Sequence, residues 1–156
     1  MSGTLSTCLW FDGTAEDAAR FYCELFPDSA IKDIHHAPGT DTAMLVAFTL
    51  LGQDMAALNG GANTEFTDAV SFQLYTDTQE DTDRYWNALI ADGGAEMACS
   101  WCKDRFGLRW QVVPRVLMQG LSHEDPAVRG RVFEAMQQMV KIDHAGIEAA
   151  IARDAR

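Results

Sequence analysis

The chain has 156 residues, 47% of them hydrophobic, which suits a single domain with its own core. A formal net charge of -11 repels a phosphate backbone and an anionic bilayer, so nucleic acid and membrane are excluded as partners. No apolar run approaches the ~20 residues of a spanning helix. The opening MSGTLST lacks a signal-peptide layout, so a cytoplasmic protein with four reduced thiols is expected.

Residues 5–11, LSTCLWF, read as a strand broken by Asp12-Gly13-Thr14. Thr14 is placed to cap the next helix, with Asp17 at the capping-box position. Over 15–26, Ala18, Phe21, Tyr22, Leu25 and Phe26 recur at spacings of three and four, which predicts one buried helix face. A strand at 30–36 follows, then 43–50 and 53–58 flanking Leu51-Gly52 as a β-hairpin. Asn59-Gly60-Gly61 reads as a crossover; it lacks the Lys of a phosphate-binding loop. The second half offers a strand at 70–76, a helix at 79–91 and strands near 96–101 and 107–113, the last ended by Pro114. In the tail, Asp125-Pro126 marks a helix start. The stripe Val128, Val132, Phe133, Met136, Met139 and Val140, extended by Ile142, Ile147 and Ile151, predicts a helical extension over about 122–153. It packs within the domain or dimer, or serves an external partner.

The halves repeat. TCLWFDGTAEDAARFYCELF (7–26) lies over SFQLYTDTQEDTDRYWNALI (71–90), with Asp17 over Asp81 and Tyr22 over Trp86. LGQDMAALN (51–59) lies over FGLRWQVVP (106–114), with Gly52 over Gly107. Each copy is a βαβββ unit, about 5–61 and about 68–114. Two such halves are expected to meet at a seam that forms a ligand cleft.

This doubled unit resembles the vicinal oxygen chelate superfamily of glyoxalase I, extradiol dioxygenases and bleomycin-resistance proteins. LWFDGTAEDAARFY, GQDMAALNGG, VSFQLYTDTQEDTDRYW, CSWCKDRFGLRWQVVP and RVFEAMQQMVKID look like the PhnB-like family, often labelled 3-demethylubiquinone-9 3-methyltransferase. The resemblance covers nearly the whole chain, tail included. It implies an α+β fold, two βαβββ repeats forming a glyoxalase-like half-barrel with an added C-terminal helix, and a homodimer. Metal-dependent relatives place four ligands at positions that fall here on Thr7, Ala56, Ser71 and Gln111. A divalent ion needs His, Glu or Asp, so no metal or other cofactor is expected.

Side chains two apart on a strand share a face. Taking those four as cleft-facing, Leu9 and Phe11 join Thr7; Asp54 and Leu58 join Ala56; Gln73 and Tyr75 join Ser71; Arg109 and Val113 join Gln111. That lining suits a small molecule with apolar and polar parts. Asp54 and Arg109 either face it, neutralise one another or point to solvent. Cys99-Ser100-Trp101-Cys102 is a CxxC on or beside a strand, which favours ordinary thiols over a redox dithiol. His35 and His36 are adjacent on a strand and so point apart. Asp77, Glu80, Asp81 and Asp83 suit a helix N-terminus. No base–nucleophile pair emerges, so catalytic residues stay unassigned. A metal-free homodimeric small-molecule binder is the first expectation, and an enzyme of the same superfamily acting on an unknown small molecule is the alternative.

Overall fold

The alternation in residues 43–50 organises the first sheet: Val46, Phe48 and Leu50 are buried, while Leu45, Ala47 and Thr49 turn to the opposite face. The computed structural model describes residues 3–153, which divide into two compact units at Glu65/Phe66. The first holds β1 (Thr7–Phe11), α1 (Ala15–Leu25), β2 (Ala30–His36), β3 (Ala43–Leu50) and β4 (Gln53–Asn59). Its strands lie in the order β1-β4-β3-β2, with β1 parallel to β4 and the other pairs antiparallel. Leu51 and Gly52, at φ 49° and 77°, make the two-residue turn whose twist suits a tight hairpin.

α1 lays Ala18, Ala19 and Tyr22 against one face of this sheet, over Val46, Phe48, Met55 and Ala57. Each fully buried large side chain there contributes about 1.5–3 kcal/mol. The small alanines let helix and strands approach closely. β2 slips register between Ile31 and Asp33 and between His35 and His36.

The second unit holds β5 (Phe72–Thr76), α2 (Gln79–Ile90), β6 (Ala95–Glu96), β7 (Trp101–Lys103) and β8 (Arg109–Pro114). Its order, β5-β8-β7-β6, repeats the first topology with the same strand directions. The strand expected at 96–101 is interrupted. Cys99 and Ser100 both take positive φ, 57° and 72°, and β7 begins only at Trp101. Two successive non-glycine residues in that region cost about 1–3 kcal/mol each, so neighbouring bonds must hold them.

The tail differs from the single stripe read in the sequence. It forms α3 (Arg115–Leu121), α4 (Pro126–Gln137) and α5 (His144–Ala152). Pro114 ends β8 and stands as the N-cap of α3, so a helix starts before the expected boundary. Asp125 caps α4 and Asp143 caps α5, each accepting a backbone N–H. Val113, Leu117, Val128, Val132, Ile142 and Ile147 form one buried cluster, so the tail packs inside the second unit. Among the described residues no helix is long and apolar enough to cross a membrane.

Candidate functional site

In the second unit α2 covers one sheet face, burying Leu74, Leu108, Trp110 and Val112 beneath Tyr85, Trp86 and Leu89. The other face carries a hydrogen-bonded polar row. Gln111 Nε2 donates to Ser71 Oγ at 2.7 Å, Gln73 Nε2 donates to Gln111 Oε1 at 3.4 Å, and Tyr75 Oη donates to Gln73 Oε1 at 3.0 Å. Strand register sets Trp101, Gln111 and Gln73 abreast on that face. Arg109 stands beside them, with its guanidinium bonded to Asp68 at 2.6 Å and to the Gly107 carbonyl at 2.6 Å. The alternation read for Ser71, Gln73, Tyr75, Arg109 and Gln111 therefore puts all five on one face. Val113 shares it by register but is buried in the tail's apolar cluster, so it is no lining residue.

In the first unit the face opposite α1 carries Asp54, Ala56 and Leu58, as expected, but β1 is displaced by one residue. Register sets Cys8 opposite Ala56 and Trp10 opposite Leu58. Leu9 and Phe11 are buried on the α1 side, and Thr7 pairs with Met55 of that side while exposed at the strand's start. The cause is a turn of three residues before α1 (12–14) against two before α2 (77–78). An ungapped match of the helices thus shifts the strands, and a one-residue slip exchanges the two faces. Ser6, Cys8 and Trp10 are the true counterparts of Ser71, Gln73 and Tyr75. Ser6 Oγ donates to the Asp54 carbonyl at 3.1 Å.

Asp54 and Arg109 are each paired within their own unit, Asp54 with Lys32 at 2.5 Å and Arg109 with Asp68 at 2.6 Å. An exposed pair such as Lys32–Asp54 is worth about 0–1 kcal/mol. The β2 irregularity turns Asp33 and His35 to this same face, where they lie 3.4 Å apart, while His36 bonds the Asp41 carbonyl.

Asn59-Gly60-Gly61 is tied to its own unit by side-chain bonds. Asn59 Oδ1 accepts the Ala15 N–H at 2.9 Å, and its Nδ2 donates to the Ala43 carbonyl at 2.8 Å. That bond replaces the expected Thr14 cap, since the Thr14 side chain makes no capping bond. Thr78 of the second unit does cap, accepting from Asp81 N and donating to Asp81 Oδ2. The Trp10 ring lies on Gly60, and its Nε1 donates to the Gly61 carbonyl at 2.9 Å.

Asp104 is structural: its Oδ1 accepts from the Phe106 and Leu108 amides and its Oδ2 from Trp110 Nε1. Cys102 is buried on the α2 side, and burial, aided by the Asp104 charge, pushes its thiol up to about 12. A redox dithiol needs the opposite shift. Among the described residues no three His, Cys, Asp or Glu side chains gather as a metal set.

The comparisons agree with this geometry. A PhnB protein from Bacillus cereus is 28% identical, with 72% of this chain and 99% of that chain covered and a TM-score of 0.65. A Pseudomonas aeruginosa protein is 20% identical over 72% of this chain and 98% of its own, with a TM-score of 0.59. FosX, a fosfomycin resistance protein of Listeria monocytogenes, has a TM-score of 0.51 at 13% identity, over 70% of this chain and 91% of its own, and shares the glyoxalase-like vicinal oxygen chelate fold. No curated protein matches the chain. The family model described as 3-demethylubiquinone-9 3-methyltransferase matches residues 3–113. It stops before α3, so RVFEAMQQMVKID lies outside the matched residues. On that match the chain belongs to the 3-demethylubiquinone-9 3-methyltransferase, or PhnB-like, family.

Proposed function

We propose that this protein is a homodimeric binder of a small molecule with apolar and uncharged polar parts, and that it works without a metal. The row Ser71–Gln111–Gln73–Tyr75 carries the reading. Two amides and two hydroxyls supply donors and acceptors together, and Gln111 stands opposite Trp101 in the strand register. None of the four is a general base near neutral pH, so the row suits recognition better than proton transfer. Ser6, Ala56, Ser71 and Gln111 offer no charged ligand to a divalent ion. Listeria FosX has been crystallised with Mn(II), but these residue types give this chain no equivalent donor set.

Methyl transfer, despite the family description, is not part of the proposal. β1 and β5 run into Asp12-Gly13-Thr14 and Asp77-Thr78, not into a glycine-rich turn that would hold S-adenosylmethionine. The test is a thermal-shift screen of the full chain over neutral metabolites and drugs, with sedimentation to establish the dimer. Compounds that raise Tm in the native protein and not in Gln111→Leu support binding at this face. A library that leaves Tm unchanged, or tight calorimetric binding of S-adenosylmethionine, contradicts the proposal.

A further inference from the structure

The tail covers Val113 at one end of the face opposite α2 and also reaches the bend that leads into Trp101. Between α4 and α5 the chain runs alongside the Cys99–Ser100 bend. Cys99 N–H donates to the Met139 carbonyl at 3.0 Å, and Ser100 N–H donates to the Val140 carbonyl at 2.9 Å. Those are the two residues held at positive φ. The next residue is Trp101, whose register opposite Gln111 follows from the same bend, because Ser100 also accepts the Val112 N–H at 2.9 Å. The Met139–Val140 segment is itself fastened to α2. Lys141 Nζ lies 2.6 Å from Asp83 Oδ1, the Ile142 carbonyl accepts from Gln79 Nε2, and Ile142 is fully buried. His144 Nε2 meets Thr82 Oγ1 at 2.8 Å inside the core, and the His144 N–H donates to Gln79 Oε1.

We infer that the tail is a positioning element for the proposed ligand face: the α2 latch holds Met139–Val140, which holds the Cys99–Ser100 bend, which presents Trp101 beside Gln111. The inference rests on the binding function proposed above for that face. A strained backbone persists only where its surroundings over-determine it, and here the determining partners come from the segment that the family model leaves out. The tail thus adds to the common fold a means of setting the aromatic side of the site.

The test uses the full chain carrying 5-fluorotryptophan, whose four indoles give separate fluorine resonances, with Trp101 identified through Trp101→Phe. Lys141→Met and His144→Ala each weaken the latch, Lys141→Met by one half-exposed ion pair alone, which keeps a folded variant in hand. Amide exchange across residues 97–102 reports whether the bend loses its partners. The expected result is several-fold faster exchange there together with a shifted or broadened Trp101 resonance, while the Trp10 and Trp110 resonances stay in place. Faster exchange with an unmoved Trp101 overturns the inference, and so does unchanged exchange in both variants. The indole is read without ligand, so a failed compound screen and a failed positioning role are told apart.

Discussion

Gln111 donates to Ser71 across 2.7 Å, joining residues forty positions apart on the face that α2 leaves uncovered. Gln111 is half-buried, so water replaces only part of what the bond supplies. Gln111→Leu and Ser71→Ala should each cost about 0.5–1.5 kcal/mol in urea unfolding. A double-mutant cycle should return a coupling of about 0.5 kcal/mol or more, as for residues in direct contact. Strict additivity would mean that the bond does not persist in solution.

The two helix starts are held differently, and truncation separates them. Asn59 serves both the Ala15 amide and the Ala43 carbonyl, so Asn59→Ala should destabilise by about 1–3 kcal/mol. Thr78→Ala should cost about 1 kcal/mol, the usual loss for an N-cap. Thr14→Ala, which removes no capping bond, should change the denaturation midpoint little. Equal losses at Thr14 and Thr78 would refute this assignment.

Cys102 and Cys8 should differ in reactivity. Cys8 is exposed, whereas Cys102 is buried with its thiol pushed up to about 12. An alkylating reagent at pH 8 should label Cys8 promptly and Cys102 only on unfolding. The raised thiol also sets a pH dependence. Unfolded, it ionises near its ordinary 9.0, so its contribution to stability is whole below that pH and is lost as pH rises toward about 12. Cys102→Ala should flatten the alkaline fall in Tm; an unchanged alkaline limb would contradict the burial given to this thiol.

Gly60 is needed for contact rather than for its φ. A Cβ there would stand 2.2 Å from the Trp10 ring, so Gly60→Ala must expel the indole and break its bond to the Gly61 carbonyl. The expected cost is about 1–3 kcal/mol with a red-shifted Trp10 emission. A silent substitution would show that the ring lies elsewhere.

The fold was legible where a pattern was local. The hairpin around Leu51-Gly52 and both helices followed from turn residues and apolar spacing. The shared face of Ser71, Gln73, Tyr75 and Gln111 was legible too, because they obey simple alternation. The face of β1 was not. One added residue in the turn 12–14 is invisible to an ungapped repeat, and it exchanges Leu9 and Phe11 for Cys8 and Trp10. Val113 was lost to tertiary packing, since alternation assigns a face and cannot say what covers it. The Cys99–Ser100 bend is held by residues some forty positions away, and no local signal marks it.

The most direct measurement follows the side-chain amides of Gln73 and Gln111 by nitrogen-edited NMR while a compound from the screen is titrated into the full chain. The account predicts that both NH2 pairs shift with saturation, equally in chelator and in added divalent metal. Signals that stay in place on binding, or that move only when metal is present, would contradict a metal-free ligand site on this face.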